Sequence, residues 1–280
     1  MGMISALLLV AGWMVQNPYE GELYDVHLHT ARPFDPKLLD QAKEAGITRV
    51  CLMAGQPNLK LDPKFAVRFT PLRFEPDTKK MILDETSVAH VEEQLKSGAA
   101  RGVGEIPLRH KRAAVNYPAD HPILLKILDV AAKYGAPVNL HVEKSYSAEL
   151  DRALGHNKDA KVIWAHAGDA SPPTLRTLMR KHGNLYADLS CRNPYFKRGH
   201  PMSEQSITEN GGTLKPEWKE LFEEFPDRFL FGSDVGGQNA DRVPLLPDVV
   251  KYYRSVLGQL KAETAAKIGH ANAERLLPTR

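Results

Sequence analysis

Cysteine is almost missing from this chain. Cys51 and Cys191 are the two present among 280 residues, too few for a disulfide framework or a Cys-rich zinc site. A surplus of one charge is missing too. Lys and Arg number 37 against 34 Asp and Glu, a formal +3, which rules out an acidic tail and gives no reason to expect a nucleic-acid partner. No glycine-rich phosphate-binding fingerprint follows the first strand-like run, which disfavours a doubly wound dinucleotide-binding sheet. Neither an internal repeat nor a low-complexity linker is present. Long apolar runs are confined to Met1–Val15 (MGMISALLLVAGWMV). That length is short for a stable membrane span and closer to the core of an export signal. Val10-Ala11-Gly12 offers small residues for cleavage, but no Lys or Arg precedes the run. Residues 1–15 therefore read either as a signal, giving a periplasmic or secreted protein, or as an extra element on the body of a cytoplasmic one. Residues 16–280 read as one domain.

What the sequence does contain is alternation. Short β-rich runs fall at residues 23–29, 47–53, 65–70, 102–106, 136–142, 161–166, 184–190 and 228–234. Amphipathic stretches separate most of them, among them PKLLDQAKEAG, SVAHVEEQLKSG, HPILLKILDVAAKYG and PPTLRTLMRKHG, several ending in glycine as helix C-termini often do. Strands separated by helices run parallel, because a crossover must return the chain. Eight such units in a chain of this length predict an α/β fold, the (β/α)8 TIM barrel, with its site at the C-terminal mouth of the strands. The long connections 71–87 and 191–215 would both rise over that mouth.

The chemistry collects at strand ends. Asp25-Val26-His27-Leu28-His29 closes the first strand, and side chains two apart share a face. His27 and His29 could therefore ligate one metal ion, with Asp25 one step deeper fixing a histidine tautomer. Glu105, His141, His166 and Asp234 stand at or near the ends of strands 4, 5, 6 and 8. In a barrel these positions converge on one mouth. His27, His29, His141 and Asp234 give a three-nitrogen, one-oxygen set that suits zinc or another borderline divalent ion. The blander alternative is six polar residues, each satisfied separately by its own neighbours.

The ordered motifs DVHLH, GVGE, NLH, WAH and FLFGSD, with the tail IGHANAERLLP, resemble the metal-dependent amidohydrolase superfamily. More narrowly they resemble its amidohydrolase-2 branch, whose members include lactonases, decarboxylases and hydratases. The likeness runs from about Leu23 to Pro278. It implies that His27, His29, His141 and Asp234 bind metal, that His166 binds a second ion or orients the substrate, and that Asp234 accepts a proton from the activated water. It also implies a role for Glu105, since an acidic or modified lysine residue on strand 4 bridges two metals in other superfamily members. The site would then hold one or two ions. A salt bridge from Glu105 to Lys144 or Arg109 is the structural alternative.

The expected function is a metal-dependent hydrolase that uses metal-activated water to attack the carbonyl of an amide, ester or lactone. A nonoxidative decarboxylase on the same scaffold is the alternative, with a metal-dependent nuclease or a non-catalytic barrel behind it. The expected partner is a small-molecule substrate, with homo-oligomerisation left open. Arg73, Lys144 and Arg192 follow strand ends and could bind a substrate carboxylate. Tyr195 and Phe196 could form an apolar wall. Cys191 receives no catalytic role, and His90, His121, His156, His182 and His270 read as surface residues.

Overall fold

The computed structural model describes residues 17–30, 34–54, 59–75, 77–78, 80–110, 115–196, 206–209, 212–237 and 240–277. The apolar segment Met1–Val15, with its candidate cleavage site, lies outside them, as does much of the connection after the seventh strand.

Nine strands form one parallel sheet among the described residues. They are β1 Tyr24–His29, β2 Arg49–Met53, β3 Ala66–Thr70, β4 Gly102–Leu108 and β5 Val138–Val142. β6 Val162–Trp164, β7 Leu185–Asp188, β8 Phe229–Leu230 and β9 Val235–Gly236 complete the set. The order is β8-β7-β6-β5-β4-β3-β2-β1-β9. The eighth strand read from the sequence (228–234) thus ends early, and the two edge strands are consecutive pieces of one chain segment, separated by Phe231–Asp234. Its first piece pairs with β7 and its second with β1. Between them, Val26 N donates to Phe231 O (3.0 Å) and Asp234 N donates to His27 O (2.8 Å). These bonds bring the two ends of the curled sheet together, as a TIM barrel requires.

Helices α1 Lys37–Glu44, α2 Glu85–Lys96, α3 Pro122–Lys133, α4 Ser147–His156, α5 Pro172–Lys181, α6 Pro216–Glu224 and α7 Leu246–Leu257 fall between the strands or follow them. Local sequence explains their ends. The Asp84 carboxylate accepts from the N–H groups of Thr86 and Ser87 at the start of α2. Pro122 and Pro172 begin α3 and α5, where a missing N–H costs nothing. Buried Leu124, Ile127, Leu128 and Ala131 form one stripe of α3 against the sheet, and each large apolar side chain so buried stabilises by about 2 kcal/mol. Helix α4 is an element the sequence reading omits, although Leu150, Ala153 and Leu154 bury a helical stripe. At the C-terminus α8 Ala262–Ala266 and α9 Asn272–Leu276 flank a π-helical turn, Lys267–Ala271.

A second apolar cluster gathers Tyr24 and Val26 of β1, Cys51 and Met53 of β2, Phe69 of β3, Ile163 of β6 and Leu230 of β8. Side chains from strands on opposite sides of the sheet meet only through its interior, so this cluster fills the barrel. Ala273, Leu276 and Leu277 join it and plug one end. The candidate site occupies the other end. Among the described residues no helix is long and apolar enough to cross a membrane.

Candidate metal centre

The pairing of β1 with β2 shifts register between Asp25 and Leu28. Such a bulge re-aims the side chains beyond it. Tyr24 and Val26 face the interior cluster, and past the shift His27 and His29 turn inward instead. Asp25 ends up elsewhere than expected. Its Oδ1 accepts the backbone N–H groups of His27 (2.9 Å) and Ser233 (3.0 Å), not a ring N–H. Burial pushes its carboxyl above the usual range.

The ring of His27 is fixed by Asp188, at the end of β7, whose Oδ2 lies 3.0 Å from Nδ1. Nδ1–H donating to that carboxylate leaves the Nε2 lone pair free. Nε2 of His27 lies 3.1 Å from Nε2 of His29 and 3.5 Å from Glu105 Oε2. His29 Nε2 in turn lies 3.4 Å from Glu105 Oε2 and 3.2 Å from Asp234 Oδ1. The donor atoms of His27, His29, Glu105 and Asp234 all fall within 4.8 Å of one another.

The other oxygen of Glu105 serves a second group. Oε1 lies 2.7 Å from His141 Nδ1 and 3.4 Å from His166 Nε2. The sequence grouped His141 with His27, His29 and Asp234; the fold groups it with Glu105 and His166. Nor does Glu105 pair with Arg109, which binds Glu149 at 2.8 Å. His166 stands on a left-handed turn, with φ 57° at His166, 50° at Ala167 and 63° at Gly168. Asp234 (φ 55°) and Cys191 (φ 59°) share that uncommon conformation. Three mouth residues thus hold backbone angles that cost of order 1 kcal/mol or more each. Ser190 Oγ donates to Asp188, so it accepts from His166 Nδ1–H at 2.7 Å, which turns Nε2 of His166 toward Glu105 Oε1.

The charges in this cluster are mutually dependent. Burial alone would lower the His27 and His29 imidazoliums, but the carboxylates outweigh it. Asp188 and Glu105 raise His27 well above its usual value, and Asp234 and Glu105 bring His29 up to about 9. Burial likewise opposes ionisation of Glu105 and Asp234, yet the surrounding histidines hold both well below the usual carboxylate range. Protons and a cation compete for the same lone pairs in such a site. The Nε2 atoms of His27 and His166 and a carboxylate that presents one oxygen to each histidine group form a nitrogen–oxygen donor set suited to a borderline divalent cation.

Six of the nine expected site residues meet here: His27, His29, Glu105, His141, His166 and Asp234. The other three lie apart. Arg73 is exposed and donates to Thr86 Oγ1 at 3.1 Å. Lys144 is exposed on the turn after β5. Arg192 is buried, its guanidinium 4.7 Å from the Trp218 ring and its Nη2 donating to Ala170 O at 3.3 Å. Several neighbours of the cluster went unnoticed in the sequence, Asp188, Asn139, Ser190, His110 and Arg242, and Cys191, given no catalytic role there, stands beside them. The ring of His110 stands 4.1 Å from that of His141. The Cys191 thiol donates to Asp234 Oδ2 at 2.9 Å, and Arg242 Nη1 donates to the same oxygen at 2.7 Å. Asp188 and Ser190 could have been found by the strand-end rule that found Asp234. Arg242 had no such signal.

A parallel barrel with clustered histidines and carboxylates at one end defines a class of TIM-barrel enzymes. The amidohydrolase family model matches residues 81–279, and the chain belongs to that family. No curated protein sequence matches it. Among solved structures, an uncharacterised TIM-barrel protein from Bordetella bronchiseptica is similar with a TM-score of 0.67 and 16% identity, over 92% of this chain and 99% of that one. A probable 2-pyrone-4,6-dicarboxylic acid hydrolase from Acinetobacter baumannii, with citric acid bound, gives 0.60 and 15%, over 92% and 99%. A 2,6-dihydroxybenzoate decarboxylase from Rhizobium gives 0.58 and 12%, over 91% and 98%. At these identities the likeness is one of fold.

Proposed function

We propose that this amidohydrolase is a hydrolase of small carbonyl compounds (amides, esters or lactones) and that His27, His29, Glu105, His141, His166 and Asp234 hold one or two zinc ions. The observation that carries the reading is the division of Glu105, with Oε2 against His27 and His29 and Oε1 against His141 and His166. A carboxylate shared in this way suits two cations better than one, and two favour hydrolysis over decarboxylation. When bound, zinc supplies Lewis-acid activation of water near neutral pH.

The chain supplies the rest. Asp234 takes the proton as water attacks the carbonyl and returns it to the leaving group. Its Oδ2 is tethered by Arg242 and Cys191, so Oδ1 is the oxygen left facing the histidines. His166, its tautomer set by Ser190, presents Nε2 to the centre and helps orient the substrate. Asp25 and Ser233 hold the broken eighth strand against β1 through Asp25 Oδ1 and Ser233 N.

The test is elemental analysis of protein purified without chelator, followed by turnover of a panel of lactones, esters, amides and carboxylated aromatics. Zinc in the preparation and hydrolysis of a carbonyl substrate are expected. Asp234→Asn should then lower kcat by about 10²–10⁴-fold, the range for loss of a general base. A metal-free protein, or release of carbon dioxide from an aromatic acid in place of hydrolysis, would overturn the proposal. The hydrolase and the decarboxylase among the structural relatives make both chemistries part of that panel.

A further inference from the structure

We propose that Arg242 is the residue that selects the substrate, by binding a carboxylate carried beside the reacting carbonyl. The inference rests on the hydrolase reading above and adds a substrate class to it: small carboxylated amides, esters or lactones. Arg242 lies in the helical turn Ala240–Leu245 after the eighth strand, eight residues beyond Asp234. One corner of its guanidinium is fully engaged. Nη1 donates to Asp234 Oδ2 (2.7 Å), to Asp234 O (3.3 Å) and to Cys191 Sγ (3.3 Å). One face is covered by the ring of Phe196, whose centroid is 4.5 Å from Cζ. The remaining donors, on Nε and Nη2, have no hydrogen-bond partner among the described residues, and the side chain stays 11% exposed.

A guanidinium pinned at one nitrogen and stacked on an aromatic ring cannot swing away, so its open edge is pre-oriented. Two parallel N–H groups on that edge match the two oxygens of a carboxylate, and such bidentate bonds are among the strongest available to a neutral-pH site. Because Nη1 touches Asp234, an anion on the other edge would be separated from that carboxylate by the width of one guanidinium. One guanidinium also fits a singly charged carboxylate better than a phosphate dianion. Of the three cations expected from the sequence, Arg73 is spent on Thr86, Arg192 is packed on Trp218 and Lys144 is exposed on the turn after β5. Arg242 takes over the role assigned to them.

The experiment measures binding of glutarate and of uncharged glutaramide by calorimetry to the purified, zinc-loaded protein and to Arg242→Gln and Arg242→Lys, with zinc content measured on each preparation. Wild-type protein should bind glutarate at least about tenfold more tightly than glutaramide, the least that a charge-assisted hydrogen bond of about 1.5–3 kcal/mol provides. Arg242→Gln should lose that preference. Arg242→Lys, which keeps the charge beside Asp234 but not the fork, should retain zinc and bind glutarate more weakly. Equal binding of glutarate and glutaramide by the wild type, or unchanged glutarate binding in Arg242→Lys, would overturn the inference. Glutarate binding that depends on Arg242 in a protein holding no zinc would sink the hydrolase reading and leave the anion site standing.

Discussion

The carboxylate of Asp188 at the end of β7 lies 3.0 Å from Nδ1 of His27 on β1, across 161 residues of sequence. It is a hub. Oδ2 also accepts from Asn139 Nδ2 (3.0 Å), while Oδ1 accepts the backbone N–H groups of His166 (3.0 Å) and Ser190 (3.1 Å) and the Ser190 hydroxyl. Burial would raise such a carboxyl, but His27 and these donors hold it down at about 2. One buried anion thus sets the tautomer of His27, the backbone position of His166 and the rotamer of Ser190 that fixes the His166 ring.

Asp188→Asn should therefore loosen the site without removing a ligand. An amide nitrogen in place of one oxygen sets donor against donor, facing His27, Asn139 or the two backbone N–H groups. Loss of an outer partner of this kind typically weakens metal binding by about 10–100-fold. Competition for zinc against a chelator of known affinity measures it, and wild-type affinity in the variant would dismiss Asp188 as an organiser.

Glu105→Gln probes the shared carboxylate. The amide keeps the volume but offers one oxygen and one nitrogen, so it cannot face two cations. Zinc per chain is expected to fall relative to the wild type, with His27, His29 and Asp234 keeping at most one ion. Elemental analysis of the two proteins prepared side by side decides the matter. Equal content would mean that Glu105 is a structural partner of His141.

Most of the frame was legible from residue patterns, and the reasons are particular. The first seven strands stand where their apolar runs predict them, because a parallel barrel strand has to be apolar on both faces. His27, His29, Glu105, His141, His166 and Asp234 were singled out because a polar residue at the end of such a run has few reasons to be there, and the fold brings the six together. Asp188 obeys the same rule and was passed over within NLYADLS. Asp25 was misassigned because strict alternation ignores the bulge that separates it from His27. The eighth strand was read as one run over 228–234, whereas only Phe229–Leu230 pairs there, with β7, and the pairing with β1 falls just beyond the run, at Val235–Gly236. Arg242 belongs to a turn without periodicity, so nothing local tells that it reaches Asp234. His182 was read as a surface residue, yet it is buried, with Nε2 2.5 Å from Asp151.

Gly168→Ala tests the left-handed turn beneath His166. At φ 63° a side chain is already strained, and a Cβ there would lie 1.9 Å from Cζ2 of the buried Trp164 ring. Trp164 cannot retreat easily, since its Nε1 donates to Val142 O at 2.7 Å. Left-handed strain of about 1–2 kcal/mol and overpacking of about 1–3 kcal/mol add to a loss of about 3 kcal/mol. Urea unfolding measures the loss. A variant within about 0.5 kcal/mol of wild type, the usual range for a harmless surface change, would show that the turn yields.

Asp151 gives the pH dependence a location away from the centre. Lys181 Nζ (2.6 Å) and His182 Nε2 (2.5 Å) hold its carboxylate and bind α4 to α5. Their hydrogen bonds hold its pKa below the ordinary aspartate value. A carboxyl depressed in the folded state adds stability that is present above its unfolded pKa, about 3.9, and that is lost as pH falls through the lower folded value. The site is partly open to solvent, so the discounted contribution is about 1 kcal/mol. Asp151→Asn should thus be less stable than wild type by about that amount between about pH 5 and 8, and the two urea curves should converge as pH falls through the folded value and Asp151 itself becomes neutral. A difference that persists unchanged into acid would assign the effect to packing between α4 and α5 and not to charge.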